Sequence, residues 1–138
     1  AAYTGIPLTH RDCAQSVKFV TAYLKNEHEE CQWEQLAKEQ GTLVFYMGLN
    51  RVDNIAQRLV EHGMTARTPI AIIDQGTGAN QQVCTRTLNT INAAVDLVYF
   101  SGPALIIVGD VVNKRVEVNT ELTDFIQTNK DLSAKVVA

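Results

Sequence analysis

Cysteine and histidine are scarce, three of each in 138 residues. Cys13, Cys31 and Cys84 are odd in number and widely spaced, which fits neither a disulfide framework nor a paired-cysteine zinc site. They read as reduced thiols acting as small apolar side chains in a cytosolic protein. His10, His28 and His62 lack a ligand pair at helical or strand spacing, so no metal site is expected. Basic residues are in deficit, 12 against 15 acidic for a net charge of −3, and they form no cluster. Binding to nucleic acid through phosphate contacts is therefore not expected. Long apolar runs are missing too: Ala104 to Val108 is the longest, far short of the ~20 residues of a membrane span. No stretch has the pattern of a signal or transit peptide. No Ser-His-Asp or Cys-His pair stands at a spacing that supports nucleophilic catalysis.

What is present describes one globular domain. With 46% apolar and only 20% charged residues, disorder is excluded. A chain this long buries about two-thirds of the surface its unfolded form exposes. Three segments carry helical rhythm. Between Arg51 and His62, Val52, Ile55, Ala56, Leu59 and Val60 share one face. Asn50 is placed to cap that helix, Asp53 suits its first turn and Gly63 its end. Trp33, Leu36 and Ala37 mark a shorter helix ending near Gly41, and Ile91, Ala94, Val95 and Val98 a third, stopped by Ser101-Gly102-Pro103.

Strand signals alternate with these helices. The runs 43–47, 70–73 and 104–108 are short, apolar and bounded by Gly or Pro, the pattern of strands buried on both faces. Val17 to Thr21 alternates and is β-branched, although a helix running on to Lys25 is the alternative. Gln82 to Thr87 follows the Gly76-Thr77-Gly78 turn closely and is expected to pair antiparallel with the strand before it. The expected architecture is α/β: a single domain with a mixed five-stranded sheet flanked by helices, in the order β-α-β-α-β-β-α-β. It occupies residues 1–112. Residues 113–138 are more polar and form a divergent tail with one short helix expected from Glu121 to Gln127.

Gly76-Thr77-Gly78 lacks the third Gly of a dinucleotide fingerprint and the Gly-Lys-Ser/Thr of a P-loop. It reads either as a simple turn or as a loop that lets a ligand approach the backbone. Ligands of open α/β sheets sit outside the carboxyl ends of strands, where this loop and Met47-Gly48 both fall. Met47 itself is either core filler or a ligand contact. Thr9-His10-Arg11-Asp12 reads as an acid–base or anion site, or as a turn whose side chains satisfy local backbone groups, the second being the simpler. Asp74, Asp110 and Glu117 are scattered carboxylates, most simply solvated.

In combination the segments resemble a known family. The stretches 3–12 (Tyr3-Thr4-Gly5-Ile6-Pro7-Leu8-Thr9-His10-Arg11-Asp12) and 14–21, then Trp33-Glu34, Phe45-Tyr46-Met47-Gly48, His62-Gly63-Met64, Thr68-Pro69-Ile70-Ala71, Gly76-Thr77 with Gln81-Gln82, and 103–109 follow one another in the order of the tetrapyrrole methylases. They are most similar to uroporphyrinogen-III C-methyltransferases, and among these to the methylase module of sirohaem synthases. The resemblance covers residues 1–112. It implies the second of two α/β domains, with S-adenosylmethionine (SAM) bound in the cleft between them. It also implies methylation of uroporphyrinogen III to precorrin-2, toward sirohaem or cobalamin, by a cytoplasmic homodimer without metal. Met47 and Gly76 match SAM contacts of the family; Thr77 and Ala104 are further candidates at the same cofactor. Thr9, His10 and Arg11 match a motif for which substrate binding is reasonable chemistry, Arg11 meeting a carboxylate.

The family's first domain, with its proposed acid and base, would precede Ala1, which accounts for a sequence beginning Ala1-Ala2-Tyr3. No catalytic residue is therefore expected in this chain, and by itself it is expected to be inactive. The alternatives are a non-catalytic binding or assembly module of the same fold, and a methylase acting on another corrinoid intermediate or on a protein. The stretch from Gly5 to Asp12 favours uroporphyrinogen over the last of these.

Overall fold

The apolar runs become the centre of a sheet because nothing in them tolerates water. The computed structural model describes residues 1–22 and 32–116. Its strands are β1 (Val17–Thr21), β2 (Thr42–Tyr46), β3 (Pro69–Asp74), β4 (Gln82–Thr87) and β5 (Ala104–Val108). Helices α1 (Trp33–Ala37), α2 (Val52–Glu61) and α3 (Ala93–Asp96) lie between them, giving the expected β-α-β-α-β-β-α-β order. All of β3 is buried, as are Thr42 to Phe45 of β2 and Ile106 to Val108 of β5.

The five strands form one mixed sheet in the order β1-β2-β5-β3-β4. β1 and β2 are parallel, and the remaining pairs are antiparallel. β5, the last strand among the described residues, thus inserts between β2 and β3. β4 pairs with β3 across the 75–81 loop, Ile73 opposite Val83, as the alternation of β4 suggested. β1 is a strand, not the start of a helix.

The period of two along each strand divides the core in two. On one face Leu43, Phe45, Ile70, Ile72, Ile106 and Val108 meet α1 and α2. Trp33 stacks on Phe45 with ring centroids 6.4 Å apart. Ile55 and Leu59 of α2 are fully buried here, each contributing about 1.5–3 kcal/mol relative to exposure. On the other face Val44, Ala71, Ile73 and Ile107 are covered by Ile6 and Ala14 of the N-terminal segment and by Val111 and Val112 of the 3-10 turn Asp110–Lys114.

Helix ends differ from expectation in three places. α1 stops at Ala37 rather than near Gly41, with Lys38 as its C-cap. A 3-10 turn, Leu49–Arg51, precedes α2, so Asn50 is not its cap; Arg51 is, without a side-chain hydrogen bond. The chain tightens there because Gly48 is buried: a Cβ on it would lie 2.7 Å from the Ile106 side chain. α3 is only one turn, and Val95 and Val98 stay exposed. Competing polar contacts define that turn locally. Asn92 accepts from the Ala94 N–H, Asp96 accepts from the Asn92 N–H and from Arg86, and Asp53 reaches across from α2 to the Ala93 N–H.

Beyond β5, the Val116 N–H donates to the Gly5 carbonyl and Arg115 Nε to the Thr4 carbonyl. The expected helix 121–127, Cys31 and His28 lie outside the described residues. No helix among the described residues is long and apolar enough to cross a membrane.

Candidate functional site

Strand direction decides which loops meet. β1, β2 and β3 run the same way, and β5 and β4 oppose them. The carboxyl ends of β2 and β3 therefore stand beside the amino end of β5. The register makes this concrete: Leu105 lies opposite both Tyr46 and Ile73, and Ala104 opposite Asp74. Met47, Ala104 and the Gly76-Thr77 loop consequently come together at one end of the sheet.

Both strand ends leave extended geometry abruptly. Met47 (φ 55°), Gln75 (φ 47°) and Thr77 (φ 72°) are non-glycine residues in the left-handed region. Such a backbone costs about 1–3 kcal/mol per residue and persists only where surrounding contacts impose it. Behind Met47, the buried Gly48 admits no side chain, and the Ala22 N–H donates to the Tyr46 carbonyl. The result turns the Met47 side chain outward, 64% exposed, next in sequence to Tyr46, whose ring lies 6.1 Å from that of Phe19. An exposed methionine in a strained backbone is not core filler.

The second loop is held by side chains. The Thr77 N–H donates to Gln81 Oε1 at 2.8 Å, and Gln81 Nε2 donates to the Tyr3 carbonyl. The Gln75 N–H donates to the Pro103 carbonyl at 3.0 Å, and Gln75 Nε2 to Ser101 Oγ at 2.9 Å. Gly76 is exposed and has no Cβ, so a ligand can come close to its backbone. A rigid end of this kind, apolar at Met47 and Ala104 and peptide-lined at 76–77, suits a flat ligand carrying a polar edge.

Thr9, His10 and Arg11 are not part of this constellation. They form a tight turn at the opposite end of the sheet, where β1 and β2 begin. The His10 N–H donates to the Ala14 carbonyl and the Ala14 N–H to the His10 carbonyl. His10 Nδ1 accepts from the Asp12 N–H, and Asp12 lies 3.9 Å from Lys114. Five-residue strands at about 3.3 Å per residue separate the two ends by roughly 16 Å. Arg11 is exposed and lines an open polar cavity of about 620 Å³ with Gln35, Lys38 and Glu39.

Asp74 is not the solvated carboxylate that its sequence setting suggests. It is fully buried, accepting from the N–H groups of Ser101 and Gly102. An acidic residue closing an all-apolar strand, directly before Gln75-Gly76, was the available signal. Cys13 and Cys84 are free thiols, and burial pushes the Cys84 thiol up from its ordinary value.

A profile of the tetrapyrrole (corrin/porphyrin) methylases matches residues 1–92. The chain belongs to this family. The chain is 50% identical over 115 residues to the siroheme synthase of Stutzerimonas stutzeri, covering 83% of this chain and 25% of that protein. It thus spans about a quarter of the length of the siroheme synthases it matches. Among solved structures it resembles uroporphyrin-III C-methyl transferase from Thermus thermophilus complexed with S-adenyl homocysteine. That likeness has 29% identity and a TM-score of 0.67, over 80% of this chain and 49% of that one. A cobalt precorrin-4 methyltransferase shares the fold at 19% identity and TM-score 0.67, over 80% of this chain and 47% of that one.

Proposed function

We propose that this chain is the C-terminal domain of a uroporphyrinogen-III C-methyltransferase, residues 1–112 building the domain and 113–138 a divergent extension. In this reading it forms one wall of a SAM cleft, and an N-terminal methylase domain in the same polypeptide forms the other. The convergence of Met47, Gly76, Thr77 and Ala104 at one end of the sheet carries the proposal, since these are the positions that match or adjoin the family's SAM contacts. When bound, each SAM would supply one activated methyl group and leave as S-adenosylhomocysteine; two such molecules in succession would methylate two ring carbons of uroporphyrinogen III, with loss of a proton each time, to give precorrin-2.

Such a transfer needs alignment and exclusion of water more than a protein nucleophile. Met47 offers a polarisable apolar contact to the cofactor, Ala104 a small apolar floor, and Gly76-Thr77 a backbone edge for its polar groups. Arg11, exposed at the far end, is assigned with Thr9 and His10 to carboxylates of the substrate. The family resemblance further supports a cytoplasmic homodimer serving sirohaem or cobalamin formation. Calorimetric titration of SAM into the intact protein tests the assignment: Met47→Ala is expected to weaken binding, and unchanged affinity counts against it. The 138-residue chain alone is expected to show no turnover.

A further inference from the structure

Asp74 closes β3 with no exposed surface, although it carries a carboxyl group. Taking that group out of water requires donors in place of its hydration shell. They come from far along the chain: the Gly102 N–H reaches Oδ1 at 2.6 Å and the Ser101 N–H reaches Oδ2 at 3.2 Å. Gln75 holds the same turn a second time, through its N–H to the Pro103 carbonyl and its Nε2 to Ser101 Oγ. Two consecutive residues thus bind the 101–103 turn by four hydrogen bonds. On one side of this clamp the next residue is Gly76; on the other it is Ala104.

We propose that Asp74 and Gln75 form a positioning clamp of the cofactor cleft, the Asp74 carboxylate fixing the 101–102 backbone and Gln75 the Ser101 hydroxyl, so that Ala104 and Gly76-Thr77 stand at a set separation. The proposal rests on the cleft assignment above. Being fully buried, Asp74 does not touch a ligand; it acts through the two segments it joins. A carboxylate is suited to this because both oxygens accept. An asparagine of the same shape offers one acceptor and turns an NH2 group toward an N–H donor.

The test uses the intact protein, with wild type, Asp74→Asn and Ser101→Ala compared by SAM titration, steady-state kinetics and thermal unfolding. Ser101→Ala removes the shorter of two hydrogen bonds from Gln75 Nε2, the other going to Asp74 Oδ2 at 3.4 Å, and with it the side-chain link from Gln75 to the 101–103 turn. Asp74→Asn is expected to weaken SAM binding about tenfold, which 1.4 kcal/mol of lost interaction produces. KM for SAM should rise in parallel, while KM for the tetrapyrrole and kcat at saturating SAM stay near wild type. Ser101→Ala should shift KM for SAM the same way by a smaller factor, and it decides the matter where Asp74→Asn does not fold. A folded Asp74→Asn protein, unfolding at lower temperature yet binding SAM as wild type does, overturns the proposal. So does an unaltered KM for SAM in Ser101→Ala when Asp74→Asn is unfolded. Failure of the wild type to bind SAM overturns the cleft assignment and, with it, this proposal.

Discussion

Met47 offers a test in which stability and binding should move independently. At φ 55° an L-residue pays about 1–2 kcal/mol that glycine does not. Its side chain is 64% exposed, so roughly a third of a methionine's 1.5–3 kcal/mol of burial, about 0.5–1 kcal/mol, is all that truncation removes. Met47→Ala loses that burial and keeps the backbone strain. Met47→Gly loses the same burial, sheds the strain, and pays about 0.5–1 kcal/mol for the greater freedom of the unfolded chain. The glycine variant should therefore be as stable as wild type within about 1 kcal/mol, and more stable than the alanine variant by roughly 0.5–1 kcal/mol. In an ordinary strand position the order is reversed, because glycine is the weaker residue there. Urea unfolding of the 138-residue chain, with midpoints compared at a common slope, measures the difference. Both variants should bind SAM more weakly in the intact protein. An alanine variant more stable than the glycine variant would refute the claim that the backbone at Met47 is strained.

Three further outcomes follow from the geometry. Arg11→Ala should raise KM for the tetrapyrrole while SAM affinity in a binding titration stays at wild-type level, because Arg11 stands at the opposite end of the sheet. Gly41→Ala should lower the unfolding temperature, at a cost of about 1–3 kcal/mol or more, because its Cβ would sit 2.5 Å from the Ser16 carbonyl oxygen where β1 and β2 start. The Asn92 N–H and Arg86 hold the Asp96 carboxyl below its ordinary value. A group depressed in the folded state stabilises above its unfolded value and loses that contribution as pH falls through the folded one. Protection of the α3 amides in hydrogen exchange should accordingly drop below about pH 4, and Asp96→Asn should abolish that pH dependence.

Much of the candidate site is legible in the sequence. A buried strand must end where apolar residues stop, so the runs 43–47 and 70–73 placed the ends of β2 (Thr42–Tyr46) and β3 (Pro69–Asp74) to within one residue. The end of α2 at Gly63 was visible for the same reason, and the Gly63 N–H does close that helix on Val60. The helix start was not, because Asn50 as a cap competes with a buried Gly48 whose neighbours, Ile106 and Ile55, come from other segments. α3 was overextended because Val95 and Val98 have helical spacing but no surface to pack against.

Local pattern by itself determined the order of elements, the α/β class, the buried strands, and the loops that are candidates for ligand contact. These depend on periodicities of two and 3.6 residues, which are properties of adjacent positions. Only tertiary structure decided that β5 lies between β2 and β3, which makes Met47, Gly76 and Ala104 neighbours. Strand pairing is set by hydrogen bonds between segments tens of residues apart, and periodicity does not encode the partner. The same holds for Asp74: a carboxylate looks solvated in sequence, and becomes a buried clamp only because two N–H groups from the 101–102 turn arrive to replace water.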